Sequence, residues 1–205
     1  MPVFLSFIRQ PFCVSFKIVG FPGTRPYSFM AVNAHLMYGK MRDRRKEFDA
    51  LMDWIRGRVK QVSKTYYPNF MLLGDLNLDF DNPRTDRERI EAHLKTCDDE
   101  AGDEVSVNFP FLETHPGNAG PFRTNARESQ TFDHIGLFFR ERGLPMHVDN
   151  KNMGKNEIGP DYGVFNFVNL FQDALGQTRE DLYPRFENKV SDHLPLWLRL
   201  PLPKD

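Results

Sequence analysis

The chain has 205 residues, 40% hydrophobic and 27% charged, with a formal net charge of -1. That length predicts one domain spanning residues 1–205, large enough to bury its own core, and the composition is ordinary for a soluble globular protein. Near-neutral charge argues against a global positive field for gripping nucleic acid, but not against an enzyme that touches a few phosphates.

Nineteen phenylalanines imply a well-filled interior or an apolar face awaiting a partner. Cys13 and Cys97 cannot build a disulfide framework in a chain of this size; they read as small buried hydrophobes in a reducing compartment. The opening stretch MPVFLSFIRQPFCVSF is apolar, but Pro2, Arg9, Gln10 and Pro11 break it well short of a membrane span. It also lacks the basic start and small-residue cleavage site of a signal peptide. The expectation is a cytoplasmic protein with no membrane span.

In chain order, Phe12, Val14, Phe16 and Ile18 alternate with Cys13, Ser15 and Lys17, which is strand periodicity. FPGTRP at 21–26 is a turn, and YSFMAVNAHL reads as a second, more buried strand, so the two form a hairpin. Residues 41–63 predict the best helix, with Phe48, Leu51, Met52, Ile55, Val59 and Val62 at helical spacing. NFMLLGDLN is then a short strand of the kind buried on both faces. Strand, helix, strand is a βαβ unit, which predicts a parallel pair.

TDRERIEAHLKTC (85–97) predicts a second helix, with Thr85 as N-cap and Glu88 at the capping-box position. Residues 98–130 read as a long surface loop, and TFDHIGLFF (131–139) as a strand. Residues 140–190 carry short pieces without a clear pattern. HLPLWLRLPL closes the chain as a strand with Leu194, Leu196, Leu198 and Leu200 on one face. The class is α/β, with polar residues at strand ends.

Those strand ends carry the chemistry. NAH (33–35), GDLN (74–77), FDH (132–134) and SDH (191–193) place acid, amide and imidazole groups where open α/β sheets gather their ligands. Duller readings exist for each. Asp75 and Asn77 suit an ordinary turn, Asp192 and His193 a cap before the last strand, and Asp133 a strand-end partner. DLNLDFD is no calcium loop, because Phe80 stands where an EF-hand needs Gly and Asp86 where it needs Glu. His134 falls on the opposite face from Asp133 and reads as structural. His93, His115 and His147 read as surface or loop residues, and the basic run KMRDRRKEF (40–48) as a solvated helix face.

On VNAHL, LLGDLNLD, TFDHIGL and SDHLPLWLRL together, from about Phe12 to Leu200, the chain resembles the endonuclease/exonuclease/phosphatase superfamily, the DNase I-like phosphodiesterases. The resemblance implies a DNase I-like mixed β-sheet sandwich flanked by helices. It also implies hydrolysis of a phosphate ester, nucleic acid among the candidate substrates, with magnesium or manganese. His193 would be the general base and Asp133 its hydrogen-bond partner. Asp192 would be a metal ligand, and Asp75 and Asn77 would orient water and phosphate or touch a second metal. His35 would donate to a phosphate oxygen or the leaving group.

This assignment is chemically coherent: hydrolysis of a phosphodiester needs its charge offset, an aligned water and a proton acceptor near neutral pH. The family's first half, with its metal-binding Gln-Glu strand, has no counterpart here, since the first Glu is Glu47. The expectation is therefore the C-terminal half of the usual fold, with poor metal affinity and an unsupported His35. Its uncovered apolar face would pair with a second copy or with a separately encoded first half. The rival reading is an inactive remnant serving as a binding or assembly module.

Overall fold

The computed structural model describes residues 7–60, 69–78, 85–101, 105–112, 122–140, 162–200 and 202. The alternating amino-terminal segment is β1 (Phe12–Ile18), and it pairs antiparallel with β2 (Tyr27–Asn33) around the Pro-Gly turn. Helix α1 (Met41–Lys60) buries Phe48, Leu51, Met52, Ile55 and Val59, the apolar stripe of the sequence; Val62 lies outside the described residues. It crosses over to β3 (Phe70–Asp75), which runs parallel to β2. The βαβ unit stands as expected.

Helix α2 covers Thr85–Ala101, four residues past the expected end. Asp98, Asp99 and Glu100 carry no breaker; the first glycine is Gly102. Thr85 is already helical, and its side chain lies outside the described residues. The expected 98–130 loop also holds β4 (Ser106–Asn108) and a 3-10 turn at Pro110–Leu112. The strand expected from residue 131 begins two residues later, as β5 (Asp133–Phe139).

The main sheet is mixed, in the order β1-β2-β3-β5-β4. One face packs on α1 and α2 through Val32, Phe70, Leu72, Phe138, Ile55 and Ile90. His134 lies on this side, fully buried beside Phe109, and burial pushes its pKa down to about 4, so it is a neutral core residue. The other face carries Tyr27, Met71, Ile135, Leu137 and Phe139. A two-stranded sheet of β6 (Tyr162–Val164) and β7 (Leu196–Leu198) lies over it. The described residues thus form an α/β fold in which a second, smaller sheet begins the sandwich.

Within the region that gave no pattern, short α3 (Gln172–Leu175) precedes α4 (Arg179–Lys189). Thr178 caps α4 by accepting a hydrogen bond from the Asp181 N–H. The final strand is shorter than expected. Leu196, Leu198 and Leu200 pack toward the main sheet, but Leu194 turns into a separate cluster with Leu182 and Phe186 of α4. The cause is backbone pairing: Leu194 N–H donates to Thr124 O before Pro195, which has no N–H to continue a ladder.

At three further points the molecule departs from the sequence expectations. Cys13, expected to be buried, is exposed on β1, the edge strand of the sheet among the described residues; the Cys97 side chain lies outside the described residues. His93 is largely buried at the α1–α2 contact, 2.9 Å from the Asp49 carboxylate, while His115 and His147 lie outside. The basic run is not merely solvated: Arg44 and Arg45 reach Asn77 and Asp86.

Candidate active site

The register of the sheet brings the acidic pair together. β3 and β5 are antiparallel with Asp75 directly opposite Asp133, so both carboxylates project from the same face at the same end. Like charges placed this way repel, and a cation between them relieves the repulsion. His193 takes that place. Its Nδ1–H donates to Asp133 Oδ2 at 2.8 Å, and its Nε2 stands 3.7 Å from Asp75 Oδ2. The Asp133 hydrogen bond, with the charges of Asp133, Asp75 and Asp192 behind it, raises the His193 pKa to about 9 against a desolvation that lowers it.

The chain near residue 193 is held by Ser191 of the same SDH motif and by residues 124–126. Ser191 Oγ accepts from His193 N–H at 3.0 Å and donates to His193 O. Asn125 pairs antiparallel with His193, and Ala126 N–H donates to Asp192 O. Buried Thr124 accepts the N–H groups of Phe132 and Asp133 at its hydroxyl. Ser191 belongs to the SDH motif of the sequence. Thr124 and Asn125 sit in a polar turn that offers no signal without the tertiary pairing.

Gly74 makes the other wall possible. At φ +137°, a Cβ here would lie 1.9 Å from Ala34 O, so only glycine lets the end of β3 pass so close to the chain leaving β2. Leu36 N–H then donates to Asp75 O. Asn77 adopts φ 50°, a left-handed conformation that Asn tolerates. Its backbone N–H donates to Asp75 Oδ1 at 2.8 Å, and its side-chain amide donates to Asp75 Oδ2 and to Leu36 O. Burial raises the Asp75 pKa, partly countered by the Asn77 bond. His35, with its side chain half exposed, lies 3.4 Å from the same Asp75 Oδ2. Asp75 is therefore the hub: two imidazoles and an amide converge on one carboxylate.

Asp192 differs. Its side chain is 75% exposed, with Oδ2 3.8 Å from His193 Nε2. A cavity of about 490 Å³ opens beside it, walled by His193, Phe132, Asn125 and the α4 residues Pro184, Glu187 and Asn188. Arg127 clamps Glu187 with two bonds across this wall.

Magnesium and manganese prefer several hard oxygen donors. Asp75, Asn77 and Asp192 have the right chemistry, but Asp75 already accepts from Asn77 at both oxygens and Asp192 stands in solvent. Among the described residues no three carboxylate, imidazole or thiolate groups converge as a metal shell. The described residues alone do not build a resident metal centre.

No family model matches the sequence, and no curated protein does. Among solved structures, the chain is similar to the human Nocturnin catalytic domain with bound sulfate anion (13% identity, TM-score 0.39, 67% of this chain, 44% of that one). It is also similar to an endonuclease/exonuclease/phosphatase family protein from Leptotrichia buccalis (13% identity, TM-score 0.43, 93% and 54%). A third is the cytolethal distending toxin of Haemophilus ducreyi (16% identity, TM-score 0.35, 94% and 59%). The chain spans about half the length of these structures, between 44% and 59%.

Proposed function

We propose that the protein hydrolyses a phosphate ester as a DNase I-like phosphodiesterase, with nucleic acid as one candidate substrate. The observation that carries the reading is the Asp133–His193 bond at 2.8 Å, with Asp75 against the other ring nitrogen. The Asp133 bond fixes the tautomer of the neutral ring and leaves Nε2 as its accepting nitrogen. Unprotonated His193 accepts the proton of the attacking water at Nε2, and protonated His193 stabilises phosphoryl charge. Asp75 and Asn77 orient water and phosphate, and His35 donates to a phosphoryl or leaving oxygen.

Magnesium or manganese, near Asp192, Asp75 and Asn77, belongs to the proposal as a weakly held ion, since the described donors close no shell around it. For a partner, we place a second copy or a separately encoded segment over the exposed face of β1.

The test is hydrolysis of bis(p-nitrophenyl) phosphate with added magnesium, with manganese and with chelator. His193→Ala is expected to lower the rate about 10³-fold, within the range for loss of a positioned base, and Asp75→Ala to act in the same direction. Equal rates in wild type and both variants would remove the assignment.

A further inference from the structure

The first turns of α1 do more than bury apolar surface. Arg44 Nη1 donates to the Asn77 carbonyl, with the guanidinium lying over the Tyr38 ring at 5.8 Å. One turn further on, Glu47 is 4% exposed and accepts two backbone N–H groups, from Met37 at 2.8 Å and Ile8 at 3.1 Å. These contacts flank the loop that carries His35 and the turn that carries Asn77. Between them, Leu36 O accepts from the Asn77 amide at 2.8 Å, which joins the two.

We infer that Arg44 is a positioning residue for the proposed hydrolysis: it holds Asn77 in its left-handed conformation, and Glu47 braces the neighbouring His35 loop against the same helix. The inference rests on the phosphoesterase reading. The physical need is plain. A non-glycine residue at positive φ persists only where its surroundings over-determine it, and a turn that shifts by about 1 Å moves the Asp75 and Asn77 groups out of productive geometry. Arg44 supplies a charged donor to the one Asn77 carbonyl that no sheet neighbour takes among the described bonds. A carboxylate at Glu47 can accept from two N–H groups at once, whereas an amide offers one accepting oxygen.

The full chain is assayed on bis(p-nitrophenyl) phosphate as wild type, Arg44→Ala, Arg44→Lys, Asn77→Ala and the Arg44→Ala/Asn77→Ala pair, with amide hydrogen exchange on each. Arg44→Ala is expected to lose about 10- to 100-fold in kcat with KM within about threefold. Arg44→Lys recovers part of that loss, and the double variant is no slower than Asn77→Ala, because both changes remove one coupled function. Exchange of the Asn77 and Leu78 amides quickens about 10-fold or more in Arg44→Ala, while that of mid-helix α1 amides does not.

Unchanged kcat, or losses that multiply in the double variant, would overturn the inference. If Arg44→Ala fails to fold, Arg44→Lys decides: kcat and Asn77 exchange both at wild-type values would overturn it, because the guanidinium would then be dispensable. If wild type proves inactive, the phosphoesterase reading falls by itself. The exchange data then stand alone, with unaltered Asn77 protection counting against the clamp and lost protection for it.

Discussion

His193 sets the pH behaviour of the molecule. Its pKa of about 9 lies above the ordinary value near 6.5. At neutral pH it is mostly an imidazolium, with roughly one molecule in a hundred holding the base form. With His193 as the proposed base, hydrolysis is expected to rise with pH up to about 9. The stability linkage has the opposite sign: the contribution of protonated His193 is complete below the unfolded value and is lost as pH rises through about 9. Asp133→Asn removes the largest cause of the shift. In an NMR titration, the His193 ring should then titrate well below 9, toward 6.5, and the rising limb of activity should move down with it. An unmoved midpoint would mean that Asp133 does not govern the ring.

At this scale, sequence motifs pointed to the converging groups but not to their spacing. Asp75 and Asp133 were legible as strand-end acids. That they stand directly opposite depends on the β3–β5 register, which no local pattern encodes. The exposed position of Asp192 was equally hidden.

Among the elements, β3 is the one on which the site turns. Gly74 leaves no room for a side chain, so Gly74→Ala combines a backbone clash with a strained φ. It is expected to cost roughly 2–4 kcal/mol in urea unfolding, more than a surface glycine such as Gly57, where nothing lies within 4 Å of a built Cβ. Equal midpoints for the two variants would show that the β2–β3 contact yields easily.

β1 and α1 were readable because each keeps a clean period of two or 3.6 over its length, and β2 and β3 because each is a short apolar run that ends in polar residues. α4 was not. Pro184 inside it looks like a breaker, and its capping threonine lies in a polar stretch of ambiguous pattern. β4, β6 and β7 are three residues each, too short to show any periodicity and held by their neighbours.

For the whole molecule, the leading property is the part of the inner sheet face that the described residues leave uncovered. Among the described residues, β6 and β7 cover the middle of the inner face, and β1 is an edge strand whose Phe12 and Phe16 are 67% and 47% exposed. A free edge beside a row of aromatic side chains is a surface for association. We expect concentration-dependent self-association in sedimentation velocity. Phe16→Lys should shift the distribution to monomer while leaving the circular dichroism unchanged. A wild-type protein that sediments as one monomeric species at every concentration would refute this expectation.

The pairing of Asn125 with His193, and of Thr124 with Leu194, has one more consequence, for biogenesis. On a translating ribosome, Asp133 emerges 60 residues before the imidazole it is to hold. Until that late segment docks, the two facing aspartates lie side by side without their cation. The Asp75–Asp133–His193 cluster is thus among the last parts of the fold to close, a long-range step of the kind that slows folding. A nascent chain halted before residue 193 would hold Asp75 and Asp133 without the imidazole that bridges them.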